Sequence, residues 1–259
     1  MDLNFPPNQS VLITGGSRGI GAATARAFAA EGLSRIHIVG RDPGNLDQLR
    51  NELSGTEIIS HTIDLSSAQE RAPLRDVLDE VDILINNAGA IPQGSLHDAD
   101  IPAWQRAWDL KLWGYLELTQ SALASMSARG AGVILNVVGV SGERPDAGYL
   151  AGSMANSALM TMTRTIGAYS LDHGVRVLGI NPGPVHTDRI REALRSRATT
   201  EFGDPDRWPD FIAAYPARRM ATAEEVADAI VFLASPRSSY TSGSIMTLDG
   251  GMAWRGKAL

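Results

Sequence analysis

The chain of 259 residues is 44% hydrophobic and 20% charged, which predicts a folded protein with a sizeable core and excludes global disorder. Its net charge of -6 and its lack of a run rich in Lys or Arg argue against nucleic acid and anionic membrane surfaces as partners. Because cysteine is absent and the five histidines show no metal-binding spacing, we expect neither a thiolate nor a metal site.

Short apolar stretches alternate with helical stretches, and several of the apolar stretches have few polar residues, as is typical of strands covered on both faces. The first helical stretch, residues 20–32, ends on a glycine suited to helix termination. This alternation predicts an α/β fold, a doubly wound parallel sheet with helices on both faces in a single domain over residues 1–259. The predicted strands are residues 11–14, 35–39, 57–63, 81–86, 132–138, 176–181 and 244–249.

The N-terminal stretch is polar and does not resemble a signal peptide, and no apolar run is long enough to cross a membrane, so we expect a cytoplasmic protein. One long polar stretch, residues 184–220, interrupts the alternation and follows a predicted strand end, where ligands bind in such folds. It is therefore a candidate substrate lid. Its aromatic residues favour an apolar or ring-containing ligand, although aromatic residues also pack lids shut; they are Phe202, Trp208, Phe211 and Tyr215.

Three glycines, Gly15, Gly19 and Gly21, lie between the first predicted strand and the following helix. A tight turn, a close approach of backbone to phosphate and close helix–strand packing all need glycine at this spacing. The helix N-terminus then offers free N–H groups to a pyrophosphate. The turn therefore predicts a dinucleotide site.

The spacing Thr14-Gly15…Gly19…Gly21 resembles the short-chain dehydrogenase/reductase family, as do the NNAG of residues 86–89, the NPGPVHTD of residues 181–188 and the DGG of residues 249–251. The resemblance implies a Rossmann-type fold, a nicotinamide cofactor, oxidoreductase activity on a small molecule, and a homotetramer built on the helices around residues 103–128 and 152–173. By the same resemblance, Asn86 would lie along the cofactor and Asp64 near its adenine. The cofactor-binding residues expected are Gly15, Ser17, Arg18, Gly19, Ile20, Gly21, Arg41, Asp64, Leu65, Asn87, Ala88, Gly89, Pro182 and Gly183.

The end of the second strand bears on the choice between NADP(H) and NAD(H). An acidic residue there would bind the ribose 2′-hydroxyl of NAD, but Gly40 takes that position and Arg41 follows. Arg41 and Arg18 suit a 2′-phosphate, because arginine pairs bidentately with phosphate. We therefore favour NADP(H), while Asp42 keeps NAD(H) open.

The catalytic residues of the family are an Asn, a Ser, a Tyr and a Lys, with the Tyr as general acid–base and the Lys lowering its pKa. A gap-free comparison with the family pattern places Lys111 at the Asn position, Gly139 at the Ser position, Gly152 at the Tyr position and Asn156 at the Lys position. All four standard residues are thus replaced.

A rewired site is one reading of these replacements. Tyr149 lies three residues before Gly152, almost one helical turn, and would approach the same face from just before the helix. Lys111 would lower the pKa of Tyr149 or polarise a carbonyl directly. Ser153 or Ser141 would supply the missing hydroxyl, and Asn156 would bind the nicotinamide ribose. His186 is a further acid–base candidate.

The same residues also have structural interpretations: a surface lysine, a loop aromatic and polar residues on a helix face. The sequence therefore predicts an NADP(H)-dependent enzyme that interconverts a carbonyl and an alcohol, with Tyr149, Lys111, Ser153 and Asn156 as catalytic candidates. Two alternatives are a non-catalytic nucleotide-binding scaffold and an atypical lyase or isomerase.

Overall fold

A computed structural model describes residues 3–255. Seven strands form one parallel sheet in the order β3-β2-β1-β4-β5-β6-β7, so the predicted doubly wound parallel sheet is confirmed. Each strand lies within two residues of its predicted bounds. The strands are β1 Ser10–Thr14, β2 Arg35–Gly40, β3 Glu57–Thr62, β4 Ile83–Asn86, β5 Gly132–Val137, β6 Val175–Pro182 and β7 Ile245–Leu248.

The helices follow the strands in alternation, and none within residues 3–255 is long and apolar enough to cross a membrane. Their starts carry local signals. Asp42 accepts hydrogen bonds from two backbone N–H groups at the start of α2, and Thr222 and Glu225 form a reciprocal capping box at the start of α10. The helices are α1 Gly19–Ala30, α2 Pro43–Glu52, α3 Ala68–Arg71, α4 Leu74–Leu78, α5 Ile101–Trp108, α6 Gly114–Arg129, α7 Leu150–Ser170, α8 Asp188–Phe202, α9 Pro209–Ile212 and α10 Ala223–Ala234.

The sheet is covered on both faces because its central strands are apolar throughout. In β1, Val11 and Ile13 belong to a buried cluster that includes Phe28 of α1, whereas Leu12 between them belongs to a second cluster with Leu118 of α6. Successive side chains of a strand point to opposite faces, so an unbroken apolar run supplies both clusters. This explains why these strands could be recognised without polar alternation.

The order of the strands reverses between β1 and β4. From β1 the chain continues outward to β2 and β3, and from β4 it continues in the other direction to β7. Such a reversal opens a crevice at the carboxyl ends of the two central strands, where ligands bind in doubly wound folds. The site is therefore expected beyond Thr14 and Asn86.

The stretch of residues 184–220, expected as a lid, is largely helical, with α8 and α9 inside it. Phe202 and Phe211 stack on each other with ring centroids 5.2 Å apart, and the guanidinium groups of Arg207 and Arg197 lie over their faces. Aromatic rings engaged in this way stabilise the segment itself. None of the four aromatic residues expected to face a ligand lines the main cleft. Tyr215 lines a second, smaller pocket, and an apolar or cyclic substrate stays a prediction.

Candidate active site

A cleft of about 650 Å³ lies at the carboxyl ends of the strands, between the loops that follow β1, β2, β4, β5 and β6. It brings together all but three of the residues expected along the cofactor. The exceptions are Gly21, Asp64 and Asn86. The expected residues that line the cleft are Gly15, Ser17, Arg18, Gly19, Ile20, Arg41, Leu65, Asn87, Ala88, Gly89, Pro182 and Gly183.

The glycine-rich turn after β1 has the backbone that a dinucleotide phosphate requires. Gly15 and Gly19 have φ angles of +62° and +54°, in the left-handed region that side chains disfavour. A Cβ on Gly21 would lie 2.2 Å from the carbonyl oxygen of Gly15, so only glycine allows the helix to pack this closely on the turn. Gly21 therefore supports the turn from behind instead of lining the cleft. The backbone present fits a dinucleotide phosphate at the N-terminus of α1.

The NNAG segment is fixed to this turn by Thr14. The Thr14 hydroxyl accepts hydrogen bonds from the backbone N–H groups of Asn87 and Ala88, at 2.8 and 3.1 Å. The Asn87 amide donates to the carbonyl oxygens of Thr14 and Gly15, at 2.9 and 3.1 Å. These bonds hold both sides of the cleft floor in one arrangement.

Two polar residues expected along the cofactor have their side chains engaged elsewhere. Asn86 is completely buried, and its amide donates to Thr119 of α6 and Asn136 of β5. The Asp64 carboxylate accepts hydrogen bonds from the backbone and hydroxyl of Ser66, which hold the pKa of this carboxyl below its ordinary value. Both residues brace the loops around the cleft and neither lines it.

Arg41 and Asp42 follow β2, and Arg18 lies in the turn after β1. All three line the cleft. The Asp42 carboxylate is occupied at the start of α2, where one oxygen accepts from the backbone of Gly44 at 2.9 Å and the other from the Asn45 side chain at 2.8 Å. The carboxylate that kept NAD(H) open therefore caps a helix.

Lys111 reaches the opposite end of the same cleft. Its ammonium nitrogen donates to the carbonyl oxygen of Val138 at 2.6 Å, and its side chain passes beside Gly89, where a Cβ would lie 3.0 Å from Lys111 Cδ. Burial lowers the pKa of this amine from 10.5 to about 7, and the guanidinium of Arg189 adds to that effect. The amine can therefore both donate and accept a proton near neutral pH.

A π-helical turn, Asp109–Trp113, carries Lys111 between α5 and α6. Such turns often occur at functional sites. The buried guanidinium of Arg71 supports this one, because it donates to the carbonyl oxygens of Asp109 at 3.1 Å and Leu65 at 2.5 Å. It also pairs with Glu117 at 2.9 Å. Arg71 thus joins the turn that holds Lys111 to the loop after β3.

Tyr149 precedes the first residue of α7, as expected, and its ring lies against Gly152. A Cβ on Gly152 would be only 2.0 Å from Tyr149 Cε1, so the ring fills the space that a side chain at the family's Tyr position would take. Burial raises the pKa of Tyr149, with Arg189 partly opposing the shift. This direction is opposite to the one expected from Lys111, and it keeps the phenol protonated over the physiological range.

The remaining candidates have structural partners. The Ser153 hydroxyl accepts from the backbone N–H of Asp146 at 3.0 Å and lies outside the cleft. The Asn156 amide nitrogen donates to the Ser141 hydroxyl at 2.7 Å, and it would lie 2.9 Å from a Cβ on Gly139, a residue that lines the cleft. The carbonyl oxygen of Asn156 is buried without a partner among residues 3–255.

His186 is exposed and does not line the cleft, so it is poorly placed for the acid–base role that the sequence left open. Across residues 3–255, no group of three or more His, Asp or Glu side chains is placed to hold a metal ion.

Arg189, in the first turn of α8, is a site residue that the sequence reasoning missed. It lines the cleft, and its guanidinium donates to the carbonyl oxygen of Gly89 at 2.5 Å. It also influences the pKa values of Lys111 and Tyr149. Arg189 directly follows the NPGPVHTD motif of residues 181–188, and this position could have identified it from the sequence.

A family model described as Enoyl-(Acyl carrier protein) reductase matches residues 15–253. A solved structure described as a short chain dehydrogenase/reductase family protein is 35% identical, with a TM-score of 0.83, over 98% of this chain and 99% of that one. The chain belongs to the short-chain dehydrogenase/reductase family. The resemblance carried by the glycine-rich turn and NNAG is thereby confirmed.

Two further relatives bear on the activity. The 2-(S)-hydroxypropyl-CoM dehydrogenase 3 of Xanthobacter autotrophicus is 32% identical over 257 residues, covering 95% of this chain and 96% of that protein. The L-sorbose reductase of Gluconobacter frateurii, solved with NADPH and L-sorbose, is 28% identical with a TM-score of 0.90, over 99% of this chain and 100% of that one. The chain is accordingly an oxidoreductase of a family whose members use nicotinamide cofactors on alcohols and carbonyls.

Proposed function

We propose that this protein is an NADP(H)-dependent oxidoreductase that interconverts a carbonyl and an alcohol, with Lys111 as the group that exchanges a proton with the substrate oxygen. The observation that carries the proposal is the amine of Lys111 at the end of the cofactor cleft, with a pKa of about 7. General acid–base catalysis is most efficient when the pKa lies near the operating pH.

The residues of the cleft fit the cofactor at two places. The glycine-rich turn and the N-terminus of α1 would hold the pyrophosphate, and Arg18 and Arg41 would pair with a 2′-phosphate on the adenosine ribose. Asn156, expected at the nicotinamide ribose, is buried and does not line the cleft. When bound, the nicotinamide supplies or accepts the hydride.

Lys111 would donate or accept the proton, depending on the direction of the reaction. For reduction, the ammonium form donates a proton to the oxygen that becomes a hydroxyl; for oxidation, the neutral amine takes the proton from the alcohol. The Val138 carbonyl orients the amine. Tyr149, whose pKa is raised, lies outside the lining of the cleft and would act on the substrate from beside it as a neutral donor, and Ser153 supports the loop before α7. Lys111 is therefore the proposed general acid–base residue.

The test combines cofactor titration with a turnover screen of ketones and alcohols. Tight binding of NADPH and weak binding of NADH, followed by nicotinamide fluorescence, supports the proposed cofactor. With a substrate found by the screen, reduction should slow as the pH rises through about 7, and oxidation should slow as it falls through about 7. Lys111→Met should lower kcat at least 100-fold, whereas Tyr149→Phe should have a smaller effect that is felt mainly in KM.

Full turnover by both variants would reject the assignment of Lys111 and Tyr149. Binding of neither cofactor would favour a scaffold that has lost its reaction, and a change of substrate without net cofactor turnover would favour a lyase or isomerase.

A further inference from the structure

Helix α8 carries four arginines, and three of them pair with acidic residues. Arg191 pairs with Asp188 at 2.8 Å, Arg195 with Asp206 at 2.6 Å, and Arg197 with Glu201 at 2.7 Å. Arg189 forms no ion pair within residues 3–255, although it begins the same helix. It is also the α8 arginine that lines the cofactor cleft. Because Arg189 alone among the arginines of α8 lines the cleft and has no acidic partner among the described residues, its guanidinium is available to a bound anion.

The charges near Arg189 strengthen this conclusion. Lys111 also lines the cleft, also bonds only to a backbone carbonyl and forms no ion pair within the described part of the chain. The two cations flank Gly89: Arg189 donates to its carbonyl oxygen, and Lys111 Nζ would lie 3.6 Å from a Cβ at this position. Asp188, the acid that lines this end of the cleft, is occupied by Arg191. The reacting end of the cleft therefore has a positive charge without an internal counterion.

We propose that Arg189 binds a carboxylate of the substrate, so that the preferred substrates are hydroxy acids or oxo acids whose carboxylate lies near the reacting carbon. A guanidinium presents several N–H donors in a planar fork that matches a carboxylate, and here one of them is engaged with Gly89. The inference rests on the proposed function, since it assigns the substrate class of the same site.

The alternative partner for Arg189 is a phosphate of the cofactor. The glycine-rich turn at the N-terminus of α1 already provides a phosphate site. Arg189, in contrast, contacts Gly89 beside Lys111, and its charge acts on Lys111 and Tyr149, the two candidates at the reacting end. The substrate is thus the better match for its position.

The test compares two probes of the same shape, cyclohexanecarboxylate and cyclohexanecarboxamide. Binding of each is measured by calorimetry to the full-length protein, with and without saturating NADPH. The carboxylate should bind at least 10-fold more tightly than the amide. Arg189→Met should abolish that preference and leave NADPH affinity within about 2-fold. Arg195→Met is the matched control, since it removes an arginine of the same helix that does not line the cleft and pairs with Asp206, and it should keep the preference.

Equal binding of the two probes, or a preference that survives Arg189→Met, would overturn the proposal. A loss of NADPH affinity of 10-fold or more in Arg189→Met, with the carboxylate preference intact, would assign the residue to the cofactor instead. Failure of the proposed function is separate from this result. If the protein reduces neutral ketones but does not distinguish the probes, the substrate class is wrong and the reaction stands. If it distinguishes the probes without any turnover, the anion site stands and the reaction is wrong.

Discussion

The ring of Tyr149 occupies the space above Gly152, where a Cβ would come within 2.0 Å of the ring. Gly152→Ala should therefore destabilise the protein by about 1–3 kcal/mol, because the extra methyl group forces the ring to move. Urea unfolding measures the change. Tyr149→Ala in the same chain should recover part of the loss, since it removes the clashing atoms. Gly55→Ala is the control, because a Cβ there meets open space; equal losses at both positions would contradict the clash.

The sequence contains two lysines, Lys111 and Lys257, and this allows a direct measurement of the Lys111 pKa. In protein labelled with carbon-13 at the lysine Cε, one signal should titrate near pH 7, because burial and Arg189 disfavour the charged amine. Lys257→Arg removes the other signal and completes the assignment. Titration of the remaining signal near 10.5 would refute the proposed role of Lys111.

The lowered pKa of Lys111 also predicts how stability depends on pH. Between about pH 7 and 10.5, the unfolded chain binds more protons at this residue than the folded chain, so the free energy of unfolding should rise with pH across that window. Lys111→Met removes the slope. The variant should be more stable than the parent by about 4 kcal/mol at pH 7, with the difference vanishing toward pH 10.5. Denaturant unfolding at several pH values tests this; parallel curves for parent and variant would contradict it.

Arg41 should distinguish the two cofactors. Arg41→Ala should weaken NADPH binding about 10-fold or more and leave NADH binding nearly unchanged, because the 2′-phosphate that this guanidinium would pair with is absent from NADH. Fluorescence titration measures both affinities. Arg50→Ala is a suitable control, since Arg50 lies on α2 and pairs with Asp47. Equal losses of affinity for NADPH and NADH in Arg41→Ala would show that Arg41 does not bind the 2′-phosphate.

Arg71 should act on the site through the π-helical turn. Arg71→Met removes a donor from the carbonyl oxygens of Asp109 and Leu65, breaks the pair with Glu117 and should cost about 2–3 kcal/mol of stability. Because the turn holds Lys111, the lysine signal should also move toward pH 10.5. Arg75→Met, an exposed neighbour, should change neither quantity. Loss of stability with an unchanged lysine pKa would make Arg71 a purely structural residue.

The strands and the cofactor cleft could be predicted because both depend on local sequence. The apolar run of β1 sends alternate side chains to two buried clusters, and the glycine-rich turn needs its residues at fixed spacing. The position of Lys111 in the site was also predictable from the order of motifs. The π-helical turn was not, since it is supported by Arg71, which lies far away in sequence.

Other features depended on burial and on choice of partner, which a sequence does not reveal. Asn86 follows the motif of a cofactor-facing residue, but its amide bonds inward to Thr119 and Asn136. Desolvation sets the direction of the Tyr149 pKa, whereas the sequence suggested a neighbouring charge. Phe202 and Phe211 could equally have faced a ligand or each other, and only packing shows that they stack together.

The neighbours of Gly139 and Gly152 also constrain how this chain can change over evolutionary time. A side chain gained at Gly152 meets the ring of Tyr149, and one gained at Gly139, where φ is +138°, meets the amide of Asn156. A single substitution at either glycine would therefore be harmful on its own, and removing the neighbour first would leave a hole. Each glycine can accept a side chain only together with a change in its neighbour, so these positions must change in pairs.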